Sequence, residues 1–131
     1  MRPETIFASE FQAGLKGVSA EPEGIENKVN LGTPDQLVGI DDEFVFVELK
    51  VVSSGRKIKL RPHQVSFLVR HGRMGRLCWI FAKVIQGQRY LLFRGQDAFE
   101  VLERGIDHPP IASWQGRVDW QELAGELTRR I

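Results

Sequence analysis

Three residues stand out by type and spacing: Asp35, Glu48 and Lys50. Glu48 and Lys50 lie two apart in the stretch Phe44 to Val52, the most apolar run of the chain. Successive side chains of a strand alternate between faces, so these two point the same way and become neighbours. Burying a carboxylate and an ammonium mid-strand is costly unless each has a partner. One reading is a self-compensating ion pair where the strand emerges into solvent. At ordinary usage of about 6% for each residue, a chain this long holds roughly half of one Glu-x-Lys by chance, so the pair alone decides nothing. Asp35, preceded by Pro34, lies thirteen residues before Glu48. A hairpin of that length sets the start of its first strand beside the later residues of its second, so the two carboxylates can converge. Two close carboxylates repel, and a hard divalent cation with oxygen ligands resolves the repulsion. Such an ion keeps several waters, one of which can attack a phosphodiester phosphorus. Lys50 is placed to position that water or to stabilise charge growing on the phosphate oxygens. The chemistry is metal-assisted phosphodiester hydrolysis.

The elements that would position this set are legible in outline. Phe7, Phe11 and Leu15 repeat at helical spacing and predict a helix over 5–16, after which Glu21 to Gly24 read as a loop. Ile25 to Leu31 read as a short strand, ended by Gly32, Thr33 and Pro34, and Gln36 to Ile40 as another. Asp41, Asp42 and Glu43 form a tight polar turn into Phe44 to Val52, which is apolar on both alternating faces, as a central strand buried on both sides should be. Residues 53–57 are a basic loop. Pro62 suits the first position of a helix running to about His71, with Gly72 and Gly75 stopping it. Arg76 to Ile85 and Arg89 to Arg94 are strands joined by a glycine turn. Asp97 to Arg104 is helical. After the Pro109–Pro110 loop, Asp119 and Glu122 resemble a cap box opening a helix to Arg130, with Trp120, Leu123, Ala124 and Leu127 as its buried stripe. The order α-β-β-β-α-β-β-α-α describes an α/β fold, a mixed sheet flanked by helices.

Composition bounds the rest. At 131 residues, 42% hydrophobic and 27% charged, the chain fits one globular domain over 1–131 and excludes a disordered chain. One cysteine, Cys78, excludes a disulfide framework and a four-thiolate zinc site, and within its apolar strand it reads as a buried thiol. No stretch approaches the ~18–20 apolar residues of a membrane span, and the first residues lack signal-peptide order, so a cytoplasmic setting is expected. The net charge of +1 hides a partition: residues 1–48 sum to −7, residues 49–96 to +11 with no acid, and residues 97–131 to −3. Either the basic middle folds against the acidic flanks, or it faces a polyanion. Its densest part is Arg56, Lys57, Lys59 and Arg61, followed by His63, Arg70 and Arg73 as further DNA-contact candidates. His63 and His71 read as solvent- or phosphate-facing. Trp79, Trp114 and Trp120 could stack on bases, but tryptophans in apolar periodic runs are more often core.

The paired motifs Pro34-Asp35 and Glu48-Leu49-Lys50 resemble the signature of the PD-(D/E)xK nuclease superfamily. Wider matches are Ile25-Glu26-Asn27, Gly32-Thr33-Pro34-Asp35, Val47 to Lys50, Leu60 to Gln64 and a following glycine- and arginine-rich turn. Together, over about residues 5–95, they are similar to small phage-borne nucleases near the VRR-NUC and archaeal Holliday-junction-resolvase groups. The resemblance implies a restriction-endonuclease-like core and a site in which Asp35, Glu48 and the Leu49 carbonyl hold magnesium, or manganese in its place, with Lys50 catalytic. It also implies a further acid, for which Glu10 and Glu26 compete, each with the alternative of an ordinary surface glutamate. Related nucleases use a glutamine at the position of Gln64 with a tyrosine four residues later. Leu68 stands there in this chain, so only the glutamine matches, and a solvated helix-start glutamine is its alternative.

The function expected is a metal-dependent DNA endonuclease of phage-type replication, recombination or repair. No helix-turn-helix or zinc finger is present, so recognition of shape, such as a branch or junction, is expected over recognition of sequence. Alternatives are a nickase or non-specific phage nuclease, and a catalytically silent nucleic-acid-binding protein of the same fold. Cutting both strands of a symmetric branch calls for two sites related by a twofold axis, hence a homodimer. Leu77 to Phe93 and the Trp120 helix could supply its interface, unless all of that apolar material is core.

Overall fold

In the computed structural model, residues 2–25 and 32–130 are described. Four helices and six strands follow one another as α1 (Pro3–Lys16), β1 (Glu21–Gly24), β2 (Gln36–Ile40), β3 (Glu43–Val52), α2 (Pro62–Arg73), β4 (Cys78–Val84), β5 (Arg89–Arg94), α3 (Ala98–Arg104), β6 (Ala112–Gln115) and α4 (Trp120–Leu127). Short 3-10 turns at Gly95–Asp97 and Gly105–Asp107 flank α3. The strands form one sheet in sequential order, β1-β2-β3-β4-β5-β6. Among the described residues only β3 and β4 are parallel, and the crossover between them carries α2.

Side-chain parity divides the core into two layers. Val45, Val47 and Leu49 of β3, with Trp79 and Phe81 of β4, face α1 and α4, where Phe7, Phe11, Leu15, Leu123 and Leu127 are fully buried. Phe46 and Val52 of β3, with Cys78, Ile80 and Ala82 of β4, face α2 and α3. A fully buried side chain of this size contributes about 1.5–3 kcal/mol, which is why the near-continuous apolar runs of β3 and β4 occupy the centre. Gly14 lets the Trp120 ring lie directly on α1: a β-carbon there would meet the ring at 2.1 Å. The Trp79 indole N–H donates to the Leu127 carbonyl at 2.9 Å, tying α4 to the sheet.

Several sequence expectations need correction. Glu21 to Gly24, expected as loop, is the edge strand β1, antiparallel to β2. Proline cannot donate to a ladder, but an edge strand has one unpaired side and tolerates Pro22. The strand expected over 25–31 lies outside the described residues except for Ile25, which follows the end of β1. Strand β6 was not expected; it has four residues, with only Trp114 buried, too short a run to carry a period-2 signal. Helix α2 continues through Gly72 to Arg73, and α4 ends at Leu127 instead of Arg130. The hairpin Leu77 to Phe93 is mostly core: Leu77 to Ala82 and Tyr90 to Phe93 are all buried. Trp120 is partly buried against α1. Trp79, Trp114 and the Cys78 thiol are core, as expected.

Candidate active site

The β2–β3 hairpin turns at Asp41 and Asp42, with Ile40 opposite Glu43. Asp41 has a φ of 55°, a left-handed conformation that aspartate tolerates and that matches the twist of a two-residue hairpin. The register then sets Gln36 opposite Val47, so Asp35, one step outside the ladder, lies beside Glu48. Gly32 fixes the approach to this turn. A β-carbon there would meet the His63 carbonyl oxygen at 2.4 Å, so only glycine lets the segment lie against the start of α2.

Beyond the hairpin ladder, Asp35 takes the place of a strand. Backbone hydrogen bonds of Phe46 and Val52 run to the β4 side, from Phe46 N–H to Leu77 O and from Ile85 N–H to Val52 O, both at 3.0 Å. The alternate residue Leu49 therefore turns its backbone toward β2, and its N–H donates to Asp35 Oδ1 at 3.1 Å. Along an extended strand a residue's N–H and C=O point the same way, so the Leu49 carbonyl faces the Asp35 side as well.

Glu48 and Lys50 share the α2 face of β3. Lys50 Nζ lies 3.4 Å from Glu48 Oε2. Gln64, in the first turn of α2, joins them: its Nε2 donates to Glu48 Oε2 at 2.9 Å, and its Oε1 accepts from Lys50 Nζ at 3.0 Å. The same Oε1 accepts from the Arg61 backbone N–H at 2.9 Å, satisfying one of the free donors at the helix start. Gln64 is thus both cap and site residue.

Burial and charge act together on the two acids. Asp35 is pushed up to about 8, first by burial and then by the negative charge of Glu48, against the Leu49 N–H and Lys50. Glu48 is raised by burial, against Lys50, the Asp35 backbone and Arg61. Two carboxyls both raised in this way are short of positive charge. The oxygens gathered here, from Asp35, Glu48 and the Leu49 carbonyl, fit a hard divalent cation. Among the described residues no three His, Cys, Asp or Glu side chains form a metal cage.

The other candidates are dispersed. Glu10 is on the opposite face of the sheet, where Lys83 Nζ (2.9 Å) and the Tyr90 hydroxyl (2.6 Å) donate to its carboxylate. It does not join Asp35 and Glu48. Glu26 lies outside the described residues. Arg56, expected to contact DNA, is exposed and paired with Asp107, and its carbonyl accepts from Ile106 N–H at 2.9 Å. This pins the basic loop to the turn after α3. Lys57, Lys59 and Arg61 point outward, alternating with buried Ile58 and Leu60 between β3 and α2. His63, Arg70 and Arg73 are exposed on α2, while His71 is half-buried and packs on Phe67 with ring centroids 4.1 Å apart. Sequence reasoning missed the Leu49–Asp35 hydrogen bond and the buried Gln36 that Gln12 Nε2 contacts at 3.1 Å. The polar residue opening β2 was the signal for the second.

No protein-family model matches the chain, and no curated protein matches it in sequence. Among solved structures it is similar to Hjc, a Holliday junction resolvase from the archaeal hyperthermophile Archaeoglobus fulgidus. The TM-score is 0.56 at 18% identity, over 70% of this chain and 77% of that one. The likeness shows the fold: a mixed six-stranded sheet between two helical layers, with a restriction-endonuclease-like core.

Proposed function

We propose that the chain is a divalent-metal-dependent DNA endonuclease, one nuclease domain over 1–131, acting on branched or junction DNA in replication, recombination or repair. The observation that carries the reading is the convergence of Asp35 and Glu48 at the end of the β2–β3 ladder, with Glu48 linked to Lys50 through Gln64. Asp35, Glu48 and the Leu49 carbonyl would hold magnesium, with manganese as substitute. When bound, the ion supplies Lewis-acid polarisation of the phosphate and a water of lowered pKa.

The chain's own groups do the rest. Burial and the charge of Glu48 raise Asp35 in the free protein, and both acids would meet the ion as carboxylates. Gln64 holds the Lys50 ammonium beside Glu48, where it stabilises charge that grows on the phosphate oxygens in the transition state. Lys57, Lys59 and Arg61, directed outward just before α2, grip phosphates beside the scissile bond. Glu10 is left to the opposite face. Similarity in fold to a Holliday junction resolvase supports a branched substrate. The proposed place of action is the cytoplasm; no helix among the described residues is long and apolar enough to cross a membrane. Two copies would bring two sites to one junction, and light scattering with and without DNA reads that assembly.

The test offers one preparation linear duplex, flap, splayed-arm and four-way-junction DNA with magnesium, manganese or EDTA. Branched substrates are expected to be cut fastest, with either metal and not in EDTA. Equal cleavage of all four would favour a non-specific nuclease, and no cleavage with either metal would leave a DNA-binding protein.

A further inference from the structure

At the end of the sheet away from the carboxylates lies a cavity of about 140 Å³ lined by Arg76, Arg94, Gln96, Arg129 and Arg130, with Trp79 behind them. Its position follows from the register. Cys78 and Trp79, at the start of β4, pair with Phe46 and Val47, whereas Glu48 and Lys50 pair with Ile80 and Ala82 further along. Arg94 closes β5 opposite Trp79.

The charges around the cavity do not balance. Arg130 is paired with Glu43 at 2.9 Å and also donates to the Gly75 carbonyl at 2.8 Å. Arg129 is paired with Glu126 at 3.3 Å. Neither glutamate lines the cavity. Arg76 contacts His71 Nδ1 at 2.9 Å and Met74 Sδ at 3.3 Å, partners that bring no negative charge. Arg94 Nε is buried and has no hydrogen-bond partner among the described residues. Among these residues, neither Arg76 nor Arg94 has a carboxylate within ion-pair distance. A buried guanidinium donor without a partner is costly, and an oxyanion with several acceptor oxygens satisfies it. At about 30 Å³ for each water, the cavity is several waters large, room enough for a tetrahedral phosphate group.

Helix α2 connects this cavity to the acid site. Gln64 in its first turn bonds Glu48, and the chain leaving its last residue, Arg73, reaches the cavity at Gly75 and Arg76. Twelve helical residues span about 18 Å, and exposed Arg70 and Arg73 lie along the way. At about 3.4 Å per nucleotide along one strand, that reach is roughly five nucleotides. Resting on the endonuclease reading, we propose that the Arg76–Arg94–Arg129–Arg130 cavity binds a backbone phosphate of the same DNA, a helix length from the bond that is cut.

The test is made without metal, so that it stands apart from cleavage. Orthophosphate is titrated in EDTA against chloride at matched ionic strength, and the Arg94 Nε–H resonance is followed by NMR. A saturable shift is expected in the wild type and in Asp35→Asn, and not in Arg76→Gln. Salt dependence of duplex binding is then compared. Arg76→Gln and Arg94→Met each lower the log–log slope by about 0.9, the value for one neutralised phosphate. Should Arg94→Met fail to fold, exposed Arg76→Gln carries the comparison. No saturable shift, or a shift retained in Arg76→Gln, overturns the site. A shift abolished in Arg76→Gln with the slope unchanged overturns the DNA assignment and leaves free phosphate as the occupant. A wild type that shows both effects and never cleaves DNA upholds the cavity while the endonuclease reading fails.

Discussion

The sheet carries a glutamate–lysine pair on each face, and the two differ in what completes them. On the α2 face, Glu48 and Lys50 are 3.4 Å apart, with the Glu48 side chain only 4% exposed and a second, half-buried acid, Asp35, alongside. On the α1 face, Glu10 and Lys83 are 2.9 Å apart, the Glu10 side chain is 32% exposed, and the Tyr90 hydroxyl fills the remaining place. Lys83 also lies 5.6 Å from the centre of the Tyr90 ring and 6.0 Å from that of Phe7. The second cluster is satisfied: one anion, one cation, one hydroxyl and aromatic faces. The first has two acids to one lysine and is short of positive charge. The proposed chemistry lies where the charge balance is left open for a ligand to close.

This contrast can be broken by mutation. The largest effect is expected from Lys50→Ala and Glu48→Gln, each lowering cleavage by at least about a hundredfold, the size typical of losing one transition-state stabilising group. Circular dichroism should show both variants folded. On the α1 face, Lys83→Met should leave cleavage near wild type, and so should Glu10→Gln. If Glu10→Gln instead lowered cleavage as much as Asp35→Asn, the further acid of the site would be Glu10 and the contrast would fall.

A second effect concerns stability. The folded-state value of Asp35, about 8, lies above its ordinary value of 3.8. Its raised value favours the metal-free fold fully only below the ordinary value, and this contribution is lost as pH rises through about 8. Asp35→Asn removes that loss. In EDTA, its melting temperature relative to wild type should rise between pH 6 and about 9, while calorimetry shows weakened manganese binding. A wild type whose relative stability does not fall over that range would mean that the acids are not held apart from positive charge.

The smallest effects separate the basic segment. Replacing Lys57, Lys59 and Arg61 with Gln should lower the salt slope of DNA binding by about 0.9 for each phosphate that is no longer neutralised. Arg56→Gln should leave the slope unchanged, since its guanidinium already serves Asp107. A slope change from Arg56 alone would show that this exposed pair opens on DNA.

The site was more legible in the sequence than the sheet's edges. Strand β3 announces itself because residues on both its faces are buried, and a hairpin's register follows from its length, so Asp35 could be set beside Glu48. Edge strands carry no such signal. Pro22 and Gly24 disguise β1, and β6 buries one residue. Partners distant in sequence were beyond reach for another reason. That Glu10 meets Tyr90, eighty residues on, and Arg56 meets Asp107 depends on which elements pack together. Such pairings also answer the charge partition in part. Lys50, Arg56 and Lys83 do fold against the acidic flanks, while Arg61, Arg70, Arg73, Arg76 and Arg94 have no carboxylate within ion-pair distance among the described residues.

The most direct measurement is cleavage of a labelled four-way junction by wild-type protein and by Glu48→Gln, each purified identically and assayed with magnesium and with EDTA. Product is expected from the wild type with magnesium alone, and none from the variant, which still shifts the junction on a gel. Cleavage by Glu48→Gln at the wild-type rate, or an intact junction with wild-type protein and magnesium, would contradict that expectation.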